Sequence, residues 1–108
     1  MLLAQQKELD SLLSQLNKHP AQDSVQLDLL LDISFDYSSI DPAKGLAAGD
    51  KAIRLARLLN NRSRLASAYN YKAVNYAAQG NDTTALHYYF NCLALRRQLG
   101  DSTGSAIT

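Results

Sequence analysis

Apolar residues along this chain recur at three- and four-residue spacing, the period of a helix buried on one side. The first such stretch runs from Leu2 or Leu3 to Asn17, with Leu9, Leu12, Leu13 and Leu16 on one face, and Lys18-His19-Pro20 ends it. Asp23-Ser24-Val25-Gln26 then offers an acceptor with Gln three residues on, the pattern of a capping box, and predicts a helix to about Ser39. Asp41-Pro42 starts a third, to about Leu59, because Asp caps and Pro suits the first helical position. Ser63 is the expected cap of a fourth helix, to about Gln79, where Gly80 supplies a left-handed release. Asn81 or Asp82 begins a fifth that is expected to stop before Gly100. No strand pattern competes, and neither a linker nor a low-complexity segment interrupts the series.

These helices repeat. Tyr37 matches Tyr76, and Gly45, Gly49 and Ala52 match Ala85, Tyr89 and Cys92, at a spacing of about forty residues. Leu65-Ala66 then matches Ser105-Ala106, so the sequence enters a third copy at its end. Paired helical patterns at such a period imply units that bury their apolar faces against their neighbours. The expected organisation is one domain over residues 1–108. A leading helix fills residues 1–19, a first repeat 22–60, a second 62–100, and a truncated third 101–108.

Composition narrows the function. A formal net charge of +1 and a pI near 7.9 give no overall field favouring nucleic acid or an anionic membrane. Asp28, Asp32 and Asp36 interrupt the most apolar run, so no membrane span is expected, nor membrane contact. Those three carboxylates share one helix face, read either as a solvated stripe or as a weak cation-attracting row. Lys51, Arg54, Arg57, Arg62 and Arg64 form a basic stretch without interleaved aromatics, expected on an outer surface and not as a nucleic-acid reader. Cys92, the lone cysteine, excludes an intrachain disulfide. His19 and His87 have no ligand or catalytic partner at a useful spacing, although Asn91 lies one turn from His87. With no nucleophile elbow and no phosphate loop, neither catalysis nor a cofactor is expected. Met1-Leu2-Leu3-Ala4-Gln5-Gln6 reads either as a first helical turn, with the parent then expected in the cytoplasm, or as the remnant of a secretory signal, which would place the parent in the periplasm or outside the cell.

The second copy's order of Tyr69, Ala73, Tyr76, Gly80, Ala85, Tyr89 and Cys92 resembles the tetratricopeptide repeat signature of alternating large and small positions. The first copy, Leu30, Ser34, Tyr37, Gly45, Gly49 and Ala52, follows it less closely and lacks a large residue opposite Tyr89. Lys72 stands where that family has an aliphatic residue. The resemblance implies an all-α fold, a right-handed superhelical α-solenoid of antiparallel helix pairs, with five helices plus the start of a sixth. The elongated repeats are similar to N-terminal regions of Bacteroidetes-type sensor histidine kinases and nucleotide cyclases, which implies an input or assembly module.

In that family ligands lie on the concave face, formed by the first helix of each unit. Carried across, this implies Asp28, Leu31 and Phe35 from the first copy and Ser67, Asn70 and Val74 from the second. Of the family's Lys, Asn and Arg set for a peptide carboxylate only Asn70 is present, so an apolar or extended peptide, or a partner helix, is expected there. Packing against a neighbouring helix is the other reading of Leu31 and Phe35. A second candidate surface, Tyr88, Tyr89 and Leu93, is expected to associate with another copy of the chain.

Overall fold

Four asparagine and aspartate side chains begin four of the five helices. In the computed structural model, which describes the backbone of residues 2–103 and the side chains of 3–100, the helices are α1 (Leu2–Asn17), α2 (Ser24–Tyr37), α3 (Pro42–Leu58), α4 (Arg62–Ala78) and α5 (Asp82–Thr103). Asp23 accepts from the Gln26 amide at 3.0 Å, Asp41 from Lys44 at 3.4 Å, Asn61 from Arg64 at 3.0 Å and Asn81 from Thr84 at 3.3 Å. Each satisfies an amide that the first helical turn leaves unpaired. The expectation of an all-helical chain holds, with no strand among the described residues.

Two boundaries differ from expectation. Asn61, not Ser63, caps α4, because Asn60 turns left-handed at φ 54° as Gly80 does at φ 81°. Both turns then close alike, with Asn61 N–H donating to the Ala56 carbonyl at 2.8 Å and Asn81 N–H to that of Tyr76 at 2.9 Å. The second difference is Gly100, which does not end α5. A glycine stops a helix only where the chain takes up a left-handed conformation, and Gly100 shows none. Residues 101–103 therefore extend α5, and the expected match at Ser105-Ala106, with any sixth helix, lies outside the described residues.

Among the described residues, close backbone packing joins each helix to the next and α2 to α4, and no other pair. Leu27, Leu30 and Leu31 of α2 meet Ala52, Ile53, Leu55 and Ala56 of α3 and Ala68 of α4 in the central core. Leu9 of α1 packs with Ile33 and Ala48, and Ala66 of α4 with Cys92 and Leu95 of α5. Alanines at so many contact points let helix backbones approach closely.

At two places the approach is closer than alanine permits. Gly45 of α3 faces Asn75 of α4, which is fully buried and donates from Nδ2 to the carbonyls of Ser34 (3.0 Å) and Tyr71 (2.9 Å). Ser34 in turn donates its hydroxyl to the Gly45 carbonyl at 2.7 Å, so one polar cluster ties three helices together. One turn further on, the stem of Lys72 lies across Gly49, where an added Cβ would meet Lys72 Cγ at 2.8 Å. The Lys72 ammonium reaches Asp50 at 2.6 Å and the Tyr88 hydroxyl at 3.2 Å, and sits 4.6 Å from the Tyr88 ring centroid. The two departures of this sequence from the repeat signature, a missing large residue at Gly49 and a lysine at 72, thus occupy each other's space.

Candidate interaction surface

Side chains four apart on a helix share a face, and α2 and α4 each turn such a row toward the groove between them. Asp28, Leu31 and Asp32 line one wall of this shallow groove of about 440 Å³, and Ser63, Arg64, Ser67 and Tyr71 the other. Leu31, 5% exposed, forms its floor. Arg64 spans it as a fork, Nε and Nη2 each donating to one oxygen of Asp28, the latter at 3.3 Å. That pairing holds the guanidinium more firmly protonated than usual. One turn along α2 from the groove, Phe35 is 49% exposed and leans on the Tyr71 ring with centroids 5.4 Å apart.

Of the six residues expected on this face, Asp28, Leu31 and Ser67 line the groove and Phe35 flanks it through Tyr71. Asn70 and Val74, both half-buried, are not among the groove's lining. Arg64 and Tyr71 carry most of its polar and aromatic character. The sequence offered a signal for both, because they stand three residues before and four after Ser67, on its own stripe.

The α2 side of this surface is acidic. Partial burial pushes the Asp32 carboxyl up, with Asp28 and then Glu8 adding repulsion. Burial likewise raises Asp36, with repulsion from Glu8 of α1 and then Asp32, and a side-chain hydrogen bond with Glu8, contributing. A carboxyl raised in the fold favours the neutral form, so its cost is absent below the ordinary value of 3.8 and present once pH passes the folded value. Asp36→Asn is therefore expected to stabilise the protein at pH 7 by a few tenths of a kcal/mol, a gain that vanishes near pH 3. Urea titrations of both proteins at the two pH values check this.

On α5 the aromatic residues divide. Tyr88 is half-buried: it stacks on Tyr76 (5.5 Å, 13°), and its centroid lies 6.2 Å from that of Tyr69. It belongs to the α4–α5 packing, not to the outer face on which it was expected. Tyr89 and Leu93 do face outward, with Leu86 and Phe90 beside them. Three residues of the basic stretch point to separate partners. Arg57 donates to the Tyr69 hydroxyl at 3.1 Å, Arg62 to Gln98 at 2.8 Å, and Arg64 turns into the groove. The His87 and Asn91 side chains meet at 3.3 Å, while His19 lies 2.8 Å from Asp23 at the start of α2.

Among the described residues no three His, Cys, Asp or Glu side chains are grouped to hold a metal ion, and no helix is long and apolar enough to cross a membrane. The geometry defines an all-helical protein with an open groove between two helices that are not consecutive. In comparisons with known proteins, no family model, no curated protein and no solved structure matches the chain.

Proposed function

We propose that the chain is a non-catalytic protein-interaction module of the tetratricopeptide type, which takes an extended peptide along the α2–α4 groove. The observation that carries this reading is the packing of α2 on α4. α2 and α4, read as the first helices of successive repeats, lie side by side and leave a face with apolar Leu31 beneath it, the Arg64–Asp28 pair across it and exposed Phe35 against the half-buried Tyr71 ring. This packing pattern also supports the solenoid reading, in which α1 leads and α2–α3 and α4–α5 are the two repeats.

The chemistry of the face selects among peptides. Among the described residues no ion pair holds Asp32, whereas Asp28 is held by Arg64. A bound segment would place a basic residue against Asp32 and an apolar one on Phe35 and Tyr71. The similarity to sensor-kinase and cyclase input regions supports a place ahead of a signalling domain in a longer protein. Assembly of the parent through its repeat ends is the second reading, favoured by the outward apolar residues of α5.

The test is selection of linear peptides from a displayed random library on the immobilised protein. Binders are expected to pair a lysine or arginine with an aromatic or aliphatic residue. They should lose about tenfold or more in affinity to Phe35→Asp, the scale of one central aromatic contact. Binders indifferent to Phe35→Asp and to Asp32→Lys would remove the groove from consideration.

A further inference from the structure

The outward face of α5 is its own complement. Leu86 lies three and four residues before the adjacent Tyr89 and Phe90, and Leu93 four and three after them, so the four share one broad stripe; they are exposed by 54% (Leu86), 37% (Tyr89), 64% (Phe90) and 47% (Leu93). Asp82 and Arg97, both exposed, continue the same stripe at its two ends. Turned end for end about a point between Tyr89 and Phe90, the stripe maps onto itself: Asp82 falls on Arg97, Leu86 on Leu93, and Tyr89 on Phe90. We infer that this face pairs with the same face of a second copy across a two-fold axis, the two α5 helices running antiparallel.

Three observations support that occupant. The first is charge: the two-fold arrangement sets an acid against a base at both ends of the contact, whereas a parallel pairing would set like against like. Arg96, the other cation nearby, instead turns toward α4, 3.5 Å from the Ser67 hydroxyl, and leaves Arg97 to the stripe. The second is the repeat itself. Gly49, Asp50 and Ile53, the matching positions of α3, are those on which α4 packs, through Lys72 and Ala68. The face is therefore one that takes a helix elsewhere in this same chain. The third is area. A stripe of roughly 22 Å carrying two aromatics and two leucines suits a small, reversible interface below about 1,200 Å², not an obligate one.

The proposal concerns a different face from the peptide groove, and each stands if the other fails. Its test is sedimentation of the 108-residue protein between about 10 µM and about 1 mM, the range in which an interface of that size associates. The wild type is compared with Asp82→Arg, Arg97→Asp and the double exchange. Each single reversal puts like charges at both ends of the dimer and is expected to weaken it by about tenfold. The double exchange restores both pairs, returns the affinity to within about threefold of wild type, and carries the same change at the start of α5 as Asp82→Arg. Phe90→Glu, at an exposed position, is expected to leave helicity intact and the protein monomeric. A wild type that stays monomeric at the highest concentration overturns the proposal. So does a dimer indifferent to the reversals, a double exchange as weak as the single ones, or growth beyond the dimer, which marks head-to-tail stacking.

Discussion

Gly45→Ala is expected to destabilise the protein by about 3–5 kcal/mol, against a helix-propensity gain of only about 1 kcal/mol. The new Cβ would stand 2.1 Å from Asn75 Oδ1, 2.5 Å from its Cγ and 2.7 Å from its Nδ2. Asn75 has no solvent to retreat into, being fully buried. Any shift breaks its donations to the Ser34 and Tyr71 carbonyls and leaves those groups unpaired inside the protein. The arrangement also accounts for Asn75 Oδ1, which is buried without a conventional partner. In glycine, a Cα hydrogen occupies the direction a Cβ would take, and it points at that oxygen. A loss of this size is a large share of a small domain's stability and should lower the melting temperature by roughly 15 °C or more. Asn75→Ala makes room for the methyl group. The double variant is therefore expected to be more stable than the two single losses summed, by about 2 kcal/mol, in a denaturant cycle. Strict additivity would show that the two residues do not share this space.

Lys72 carries the second large effect. Lys72→Ala is expected to cost about 2–4 kcal/mol, because it empties the space over Gly49 as well as breaking the pair with Asp50. Lys72→Met, which keeps the stem, should cost only about 1 kcal/mol, since Asp50 is half exposed and rehydrates. Gly49→Leu alone is expected to be as damaging as Lys72→Ala, and the pair together to recover much of the loss, as volume-conserving exchanges do. Circular-dichroism melts of the four variants decide this. Charge adds a pH signature. Burial disfavours the ammonium, but its bonds to Asp50 and Tyr88 outweigh that and raise its pKa above the ordinary 10.5. The stabilisation is thus complete below that value and is lost as pH rises through the higher folded one. The contribution of Lys72 to that alkaline loss should be missing in Lys72→Met.

The five helices of the described residues, and most of their starts, were legible in the sequence because caps act locally. Asp23, Asp41 and Pro42 announce α2 and α3 by chemistry confined to a single turn. Asn61 was obscured by Ser63, an equally good acceptor, and only the likeness of Leu59-Asn60-Asn61 to Gln79-Gly80-Asn81 would have singled it out. Gly100 misled for the opposite reason: it has the residue type of a stop without the conformation. Contacts between helices were harder to see. Gly49 and Lys72 each look like a defect in the repeat when read alone, and they make sense only as a pair separated along the chain. The groove was half legible. The stripe on α2 follows from periodicity, whereas choosing between the Ser67-Tyr71 and Asn70-Val74 stripes of α4 required knowing how that helix is rotated about its axis. Tyr88 and Tyr89, adjacent in sequence, point about 100° apart, which one aromatic pattern does not resolve.

The ladder of close backbone packing among the described residues, in which each helix meets the next and α2 also meets α4, is expected to govern how the protein comes apart. Among the described residues, α1 and α5 each have close backbone packing with one helix, whereas α2 and α4 each have it with three. Strain introduced at one end has no direct route to the other. Thermal opening is expected to peel from the two margins inward, so that in hydrogen-exchange measurements the amides of α1 exchange with solvent well before those surrounding Ser34 and Asn75.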